Sequence, residues 1–157
     1  MSLVSIIIPY YKKKDYILDS VNSVLNQTYT NFEIIIVYDD ENRSELQFIY
    51  EVQKKDDRIK VLVNNENLGA GFSRNKGIQF SKGKYIAFLD ADDFWEEDKL
   101  EKQISSMSKN NYLITHTSYN ILGKNNKFKS ARLSRDLNFK NLLKSCDVGL
   151  STVIIDK

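Results

Sequence analysis

Phe32-Glu33-Ile34-Ile35-Ile36-Val37-Tyr38 is an almost continuous apolar run, rich in β-branched residues. A strand with one wet face would alternate apolar with polar side chains. A run without that alternation suits burial on both faces, as in a parallel sheet covered by helices. Parallel neighbours need helical crossovers, and the flanking sequence supplies them. Upstream, Val4-Ser5-Ile6-Ile7-Ile8 is a short strand stopped by Pro9, and residues 15 to 26 place Ile17, Leu18, Val21, Val24 and Leu25 on one helical face. Downstream, residues 44 to 57 form a helical pattern with Leu46, Ile49, Tyr50 and Val52 inward, and residues 59 to 63 form a third strand. A helix over 71–80, a strand over 85–89 and a helix over 96–110 with Leu100, Ile104 and Met107 on one face complete the alternation. This order predicts an α/β fold with a mostly parallel sheet and right-handed crossovers. Beyond residue 111 the pattern loosens into a strand over 112–122, a turn over 123–126, a short helix over 138–145 and a last strand over 152–155.

At 157 residues the chain fits one domain that buries roughly 70% of its unfolded surface, enough for a core without staples. A single cysteine, Cys146, excludes a disulfide framework and a thiolate zinc site, and a single histidine, His116, argues against a histidine metal centre. Cys146 reads as packing and His116 as a satisfied strand residue. A metal here would be held by oxygen, which points to Mg²⁺ or Mn²⁺. No apolar run approaches the roughly 20 residues that cross a bilayer, and the start lacks a basic region before its first strand, so a cytoplasmic chain is expected.

Charge is unevenly spread. Residues 90–101 hold Asp90, Asp92, Asp93, Glu96, Glu97, Asp98 and Glu101 against Lys99 alone. Residues 121–145 hold Lys124, Lys127, Lys129, Arg132, Arg135, Lys140 and Lys144 against Asp136 alone. These bases do not interleave with an aromatic platform, so nucleic acid is not the expected partner. They form either ordinary solvated surface or a patch drawn to an anionic membrane face, where a lipid-linked acceptor would be presented.

Ligands of open α/β sheets bind beyond the carboxyl ends of the strands. The residues standing there are Pro9, Tyr10 and Tyr11, then Asp39 and Asp40, then Asn64 to Gly71, then Asp90, Asp92 and Asp93. In extended chain the carboxylates of Asp90 and Asp92 share a face and can converge on one cation, whose other positions phosphate and water would fill. Asp93 with Glu96 also reads as a capping box for the next helix. Asp39 is either a turn residue or an acceptor for a nucleobase N–H. The glycines in Asn67-Leu68-Gly69-Ala70-Gly71 match no phosphate-loop spacing and read better as a turn.

Three longer stretches carry a resemblance: Val4 to Tyr11, Ser23-Val24-Leu25-Asn26-Gln27-Thr28-Tyr29 with Phe32 to Val37, and Gly83-Lys84-Tyr85-Ile86-Ala87-Phe88-Leu89-Asp90-Ala91-Asp92-Asp93. With Asn67-Leu68-Gly69 and Ser73 to Ile78 between them, the first 95 or so residues resemble family 2 glycosyltransferases. The resemblance implies a Rossmann-like GT-A fold and a nucleotide diphosphate sugar donor, usually UDP-linked. It implies that Pro9 and Tyr10 line the base and ribose pocket, that Asp39 holds the uracil, and that Arg74 sits near the base or phosphates. Asp90 would contact the ribose or sugar and Asp92 would ligate Mn²⁺ or Mg²⁺. Two departures stand out. Tyr38-Asp39-Asp40-Glu41 replaces the usual Asp-Asp-Gly-Ser, which leaves Asp39 and Asp40 as alternatives for the base-holding carboxylate, and the family's usual asparagine after the tyrosine is missing, with Tyr11 and Lys12 in its place. The resemblance further implies inverting transfer to a glycan or lipid-linked acceptor, in cell-surface polysaccharide or lipo-oligosaccharide synthesis. The catalytic base is expected beyond Lys157, with residues 1–110 the nucleotide-sugar part and 111–157 the opening of the acceptor part. The rivals are a non-catalytic nucleotide-sugar-binding module, an Asp-x-Asp phosphatase and a phospho-acceptor signalling domain.

Overall fold

A computed structural model describes residues 1–123, 127–133 and 148–157. In chain order it contains β1 (Val4–Tyr10), α1 (Lys14–Leu25), β2 (Phe32–Tyr38), α2 (Leu46–Gln53), β3 (Ile59–Val63), α3 (Gly69–Phe80), β4 (Tyr85–Phe88) and α4 (Lys99–Asn110). Four short strands follow: β5 (Ile114–Thr115), β6 (Tyr119–Leu122), β7 (Phe128–Arg132) and β8 (Ile154–Asp156). One sheet has the order β3-β2-β1-β4-β8-β5, and β6 pairs with β7 in a separate two-stranded ribbon. The first four strands in that order are parallel, and β8 runs antiparallel to both β4 and β5.

The apolar run of β2 is buried at every position, as its lack of alternation predicts. Side-chain parity divides the core into two layers. Ile6, Ile8 and Tyr10 of β1 join Ile34, Ile36 and Tyr38 of β2 in a cluster with α1, α2 and α4. Ile7, Ile35, Val37, Ile86 and Phe88 face the other way, toward Ile78 of α3. Helix α3 can approach β1 closely because it presents Gly77, where an added Cβ would lie 2.5 Å from Ile7 Cγ2.

Local polar contacts explain where the elements depart from their predicted limits. The helix expected over 44–57 is a 3-10 turn at Arg43–Glu45 followed by α2. Asn42 accepts the Ser44 N–H on its side chain, and Asp56 accepts the Arg58 N–H and guanidinium, so both ends are turned by side chains that compete with helical bonding. Helix α4 begins at Lys99 rather than residue 96, because the preceding segment is tied to the end of α1: Ser23 accepts the Trp95 N–H, and Gln27 donates to the Glu96 carbonyl at 2.7 Å. The Asp93–Glu96 capping box is therefore not formed. The strand expected over 112–122 is two strands, and the last one starts at Ile154 after a 3-10 turn at Leu150–Thr152. The helix expected over 138–145 and Cys146 lie outside the described residues.

At the end of the sheet opposite the carboxyl edge, the buried Glu33 accepts the Ser5 hydroxyl at 2.7 Å, the Lys82 N–H at 2.7 Å and the Lys60 ammonium at 2.6 Å. Burial alone would raise the Glu33 pKa, but these donors hold it below the ordinary value. Gly83 closes the network by donating its N–H to Ser5 Oγ at 2.9 Å.

Candidate functional site

Strand order reverses at β1, since the chain moves outward through β2 and β3 and then returns to place β4 on the other side. The carboxyl ends of β1 and β4 at that switch point are the usual ligand position in such sheets. Asp39 follows β2 beside it and is 2% exposed. Its Oδ1 accepts two hydrogen bonds, from Asn64 Nδ2 at 2.8 Å and from the Leu68 N–H at 2.8 Å. Asn64 in turn donates to Ser73 Oγ and accepts from Lys76, so the carboxylate is locked into the loop between β3 and α3. No hydrogen bond from the described residues reaches Asp39 Oδ2. Asp40 plays a different part: its side chain accepts the Asn42 N–H in a local turn. Gly69, with φ +82, supplies the turn that opens α3.

Parity corrects one expected site residue. Tyr10 continues the Ile6–Ile8 face, is fully buried, stacks on Tyr38 at 5.5 Å between ring centroids and donates its hydroxyl to Glu45. Burial pushes its phenol pKa up. It supports the site from behind and does not line it. Tyr11, just past β1 and 43% exposed, is the aromatic ring available next to the partly buried Pro9.

The acidic motif is a turn, with the Asp93 N–H donating to the Asp90 carbonyl, rather than the extended strand that its spacing suggested. Each carboxylate has its own partner. Arg74 of α3 reaches across to Asp90, which links two elements expected to share the site. Lys13 donates to Asp92 Oδ2 at 2.7 Å. Ser151, from the turn before β8, donates to Asp93 and accepts the Asp90 N–H at 3.0 Å. Burial raises the Asp93 pKa; the Ser151 bond opposes that rise, and the neighbouring Asp90 and Asp92 charges add to it.

Beside this turn lies a cavity of about 570 Å³, lined among others by Asp93, Trp95, Lys99, Tyr119 and Ser151. Lys99 is buried, donates to Gln103 at 2.6 Å and lies 4.0 Å from the Trp95 ring centroid. Burial lowers its pKa to about 7. Gln103 also donates to Thr115 and to the Thr152 carbonyl, so this chain of bonds ties α4 to β5 and to the turn before β8.

The donor set fits a hard divalent cation. Asp90 and Asp92 each keep one oxygen outside the ion pairs just described, and their side chains are 39% and 42% exposed. One or two such carboxylates, completed by phosphate oxygens and water, match how Mg²⁺ and Mn²⁺ bind. Among the described residues no cluster of three or more ligating side chains forms an all-protein cage.

Lys13 and Ser151 were not singled out in the sequence, and Tyr11 and Asn64 were named there only by their place at the strand ends. Tyr11 was legible by counting two residues from Pro9. Lys13 stands in a run of three lysines with nothing to distinguish it, and Ser151 lies 61 residues from Asp90 and 58 from Asp93.

A mostly parallel sheet flanked by helices, with its acids on the carboxyl edge, defines the GT-A class of nucleotide-sugar-binding folds. The family model for glycosyl transferase family 2 matches residues 5–153, and the chain belongs to that family. It is 39% identical to a Bacillus subtilis (strain 168) glycosyltransferase assigned to teichuronic acid biosynthesis, TuaG, over 99% of this chain and 62% of that one. It is also 39% identical to the Escherichia coli UDP-Glc:alpha-D-GlcNAc-diphosphoundecaprenol beta-1,3-glucosyltransferase WfgD, over 99% of this chain and 60% of that protein. The chain thus spans about three fifths of these relatives. Among solved structures it resembles S. aureus TarS 1-349 in complex with UDP, with a TM-score of 0.65 and 26% identity over 73% of this chain and 34% of that one.

Proposed function

We propose that this chain carries the donor-binding part of a glycosyltransferase that moves a sugar from a UDP-sugar to a glycan or lipid-linked acceptor in cell-surface polysaccharide synthesis. The observation that carries the reading is Asp39: a buried carboxylate anchored through one oxygen, at the switch point, on the same sheet edge as the Asp90–Asp92 turn. In this reading Asp39 accepts the uracil N–H, Tyr11 and Pro9 flank the base, Arg74 orients Asp90 toward the ribose or sugar, and Asp92 holds Mn²⁺ or Mg²⁺. The metal, when bound, offsets the charge that grows on the leaving diphosphate. The acceptor oxygen forms its bond to the sugar C1 as the bond from C1 to the diphosphate breaks, which inverts that centre. The acceptor proton passes to a carboxylate base that we place in the portion of the relatives this chain does not span. The cavity beside Asp93 is assigned to the acceptor.

Calorimetric titration tests the donor assignment. UDP is expected to bind more tightly than GDP or CDP and more tightly with Mn²⁺ than with chelator, and Asp92→Ala should erase the metal's contribution while leaving thermal unfolding unchanged. UDP affinity that is indifferent to both Mn²⁺ and Asp92→Ala would remove the metal from the proposal.

A lipid-linked acceptor calls for contact with a membrane, here at its cytoplasmic face. No helix among the described residues is long and apolar enough to cross one. The β6–β7 ribbon nevertheless exposes Lys127, Lys129 and Arg132 together with Phe128 and Leu133, which are 67% and 82% exposed. Basic groups near an anionic surface are worth about 1 kcal/mol each, and apolar side chains add insertion area. Co-sedimentation with anionic vesicles is expected at low salt and should fall at high salt; equal binding to neutral vesicles would leave the ribbon as ordinary surface.

A further inference from the structure

The carboxylate assigned to the metal already has a cation on it. Lys13 Nζ lies 2.7 Å from Asp92 Oδ2, and the two side chains are each 42% exposed. The backbone fixes this meeting. Lys12 has φ +50, a left-handed conformation that non-glycine residues other than asparagine adopt at a cost. That kink ends the run out of β1 and sets Lys13 at the start of α1, where its carbonyl accepts the Tyr16 and Ile17 N–H groups. From there the long side chain crosses to the turn after β4.

The two cations at the acidic motif are not equivalent. Arg74 is only 19% exposed at its side chain and has a buried Nε with no partner among the described residues, so leaving Asp90 would strand a charge in the interior. Lys13 can swing into water, because a half-exposed lysine–carboxylate pair is held weakly. A divalent ion approaching Asp92 meets an ammonium whose charge repels it.

We propose that Lys13 is a resident counter-ion of Asp92 whose charge opposes a divalent metal on the same carboxylate, so that this lysine sets the metal affinity of the site downward. The proposal rests on the assignment of Asp92 as the metal-holding carboxylate.

Binding of Mn²⁺ itself is the readout, followed as loss of the free-ion electron paramagnetic resonance signal, with and without saturating UDP. Lys13→Met is expected to bind Mn²⁺ about threefold to tenfold more tightly than the native chain, the range set by the loss of a half-exposed ion pair and of one nearby like charge. Lys13→Arg, which keeps the charge, should restore the weaker affinity, an outcome that a merely structural lysine would not produce. Thermal unfolding of both variants confirms that the fold is retained. Native-like or weaker Mn²⁺ binding by Lys13→Met overturns the counter-ion role. Asp92→Ala separates this from the assignment beneath it: undiminished Mn²⁺ binding in that variant overturns the metal site itself, and the counter-ion with it.

Discussion

Replacing Asp39 with asparagine is expected to weaken UDP binding about tenfold to a hundredfold while leaving the fold intact. The two side chains have nearly the same shape, and Oδ1 accepts from both Asn64 and the Leu68 N–H. Those two donors dictate the orientation of the new amide: its oxygen must take the Oδ1 position, which forces the NH₂ group into the place of Oδ2. The remaining acceptor becomes a donor, and in the proposed binding mode a uracil N–H would then face an N–H. Losing a hydrogen bond to a charged acceptor costs about 1.5–3 kcal/mol, and each 1.4 kcal/mol is a factor of ten. Asp39→Ala is the less informative change, since it also strips Asn64 and Leu68 of their partner and would destabilise the loop. Calorimetry with UDP on Asp39→Asn, beside its unfolding curve, checks both halves. Unchanged UDP affinity would transfer the role to another residue, Asp40 being the nearest carboxylate.

The largest effect on stability is expected from Gly83→Ala, at the opposite end of the sheet. A Cβ at this position would lie 2.6 Å from the Ser5 backbone nitrogen, 2.7 Å from Ser5 Oγ and 2.8 Å from the Tyr85 carbonyl oxygen. Two of these atoms are backbone in paired strands and cannot step aside, and the third accepts the Gly83 N–H and donates to Glu33. Relief requires β1 and β4 to separate, which also loosens a carboxylate that is buried with three donors. Overpacking with backbone displacement costs about 3 kcal/mol or more. For a domain of this size that corresponds to a fall of roughly 6–12 °C in melting temperature. Gly71→Ala, where an added Cβ meets nothing within 4 Å, is the matched control and should melt with the native chain. Equal melting of the two variants would show that the strands yield more easily than their packing indicates.

Much of this architecture is legible in the residues alone, and the reasons are local. The unbroken apolar run of β2 can only be satisfied by helices on both sides, and the helical faces of α1 and α4 announce themselves by period. The acids on the carboxyl edge follow from where strands stop. What escapes is set by contacts distant in sequence. The antiparallel entry of β8 between β4 and β5 has no signature in three residues of strand. Asp90 and Asp92 could be taken as two carboxylates on one extended face, yet the turn that holds them is shaped by Ser151. The pairing of Lys13 with Asp92 depends on a left-handed residue, Lys12, that nothing in a run of lysines reveals. Tyr10 was misplaced for a simpler reason: of two adjacent tyrosines at a strand end, only the alternation from Ile6 and Ile8 decides which one is wet.

The insertion of β8 also bears on how the molecule assembles. Strands β1 to β4 can each join the sheet as soon as they follow their neighbours, whereas between Phe88 and Ile154 no described strand enters it without β8, since β5 is held only through that strand. Bringing β8 to β4 closes the longest excursion that the growing sheet has not already bridged, and chain entropy opposes it until the contacts on both of its sides form together. Ser151 arrives with it, three residues ahead of the strand, and delivers the bonds that shape the Asp90–Asp93 turn. The surroundings of Asp39 and the Asp90–Asp93 turn are therefore made at different stages, the second only when the chain has returned to seal the edge of β4.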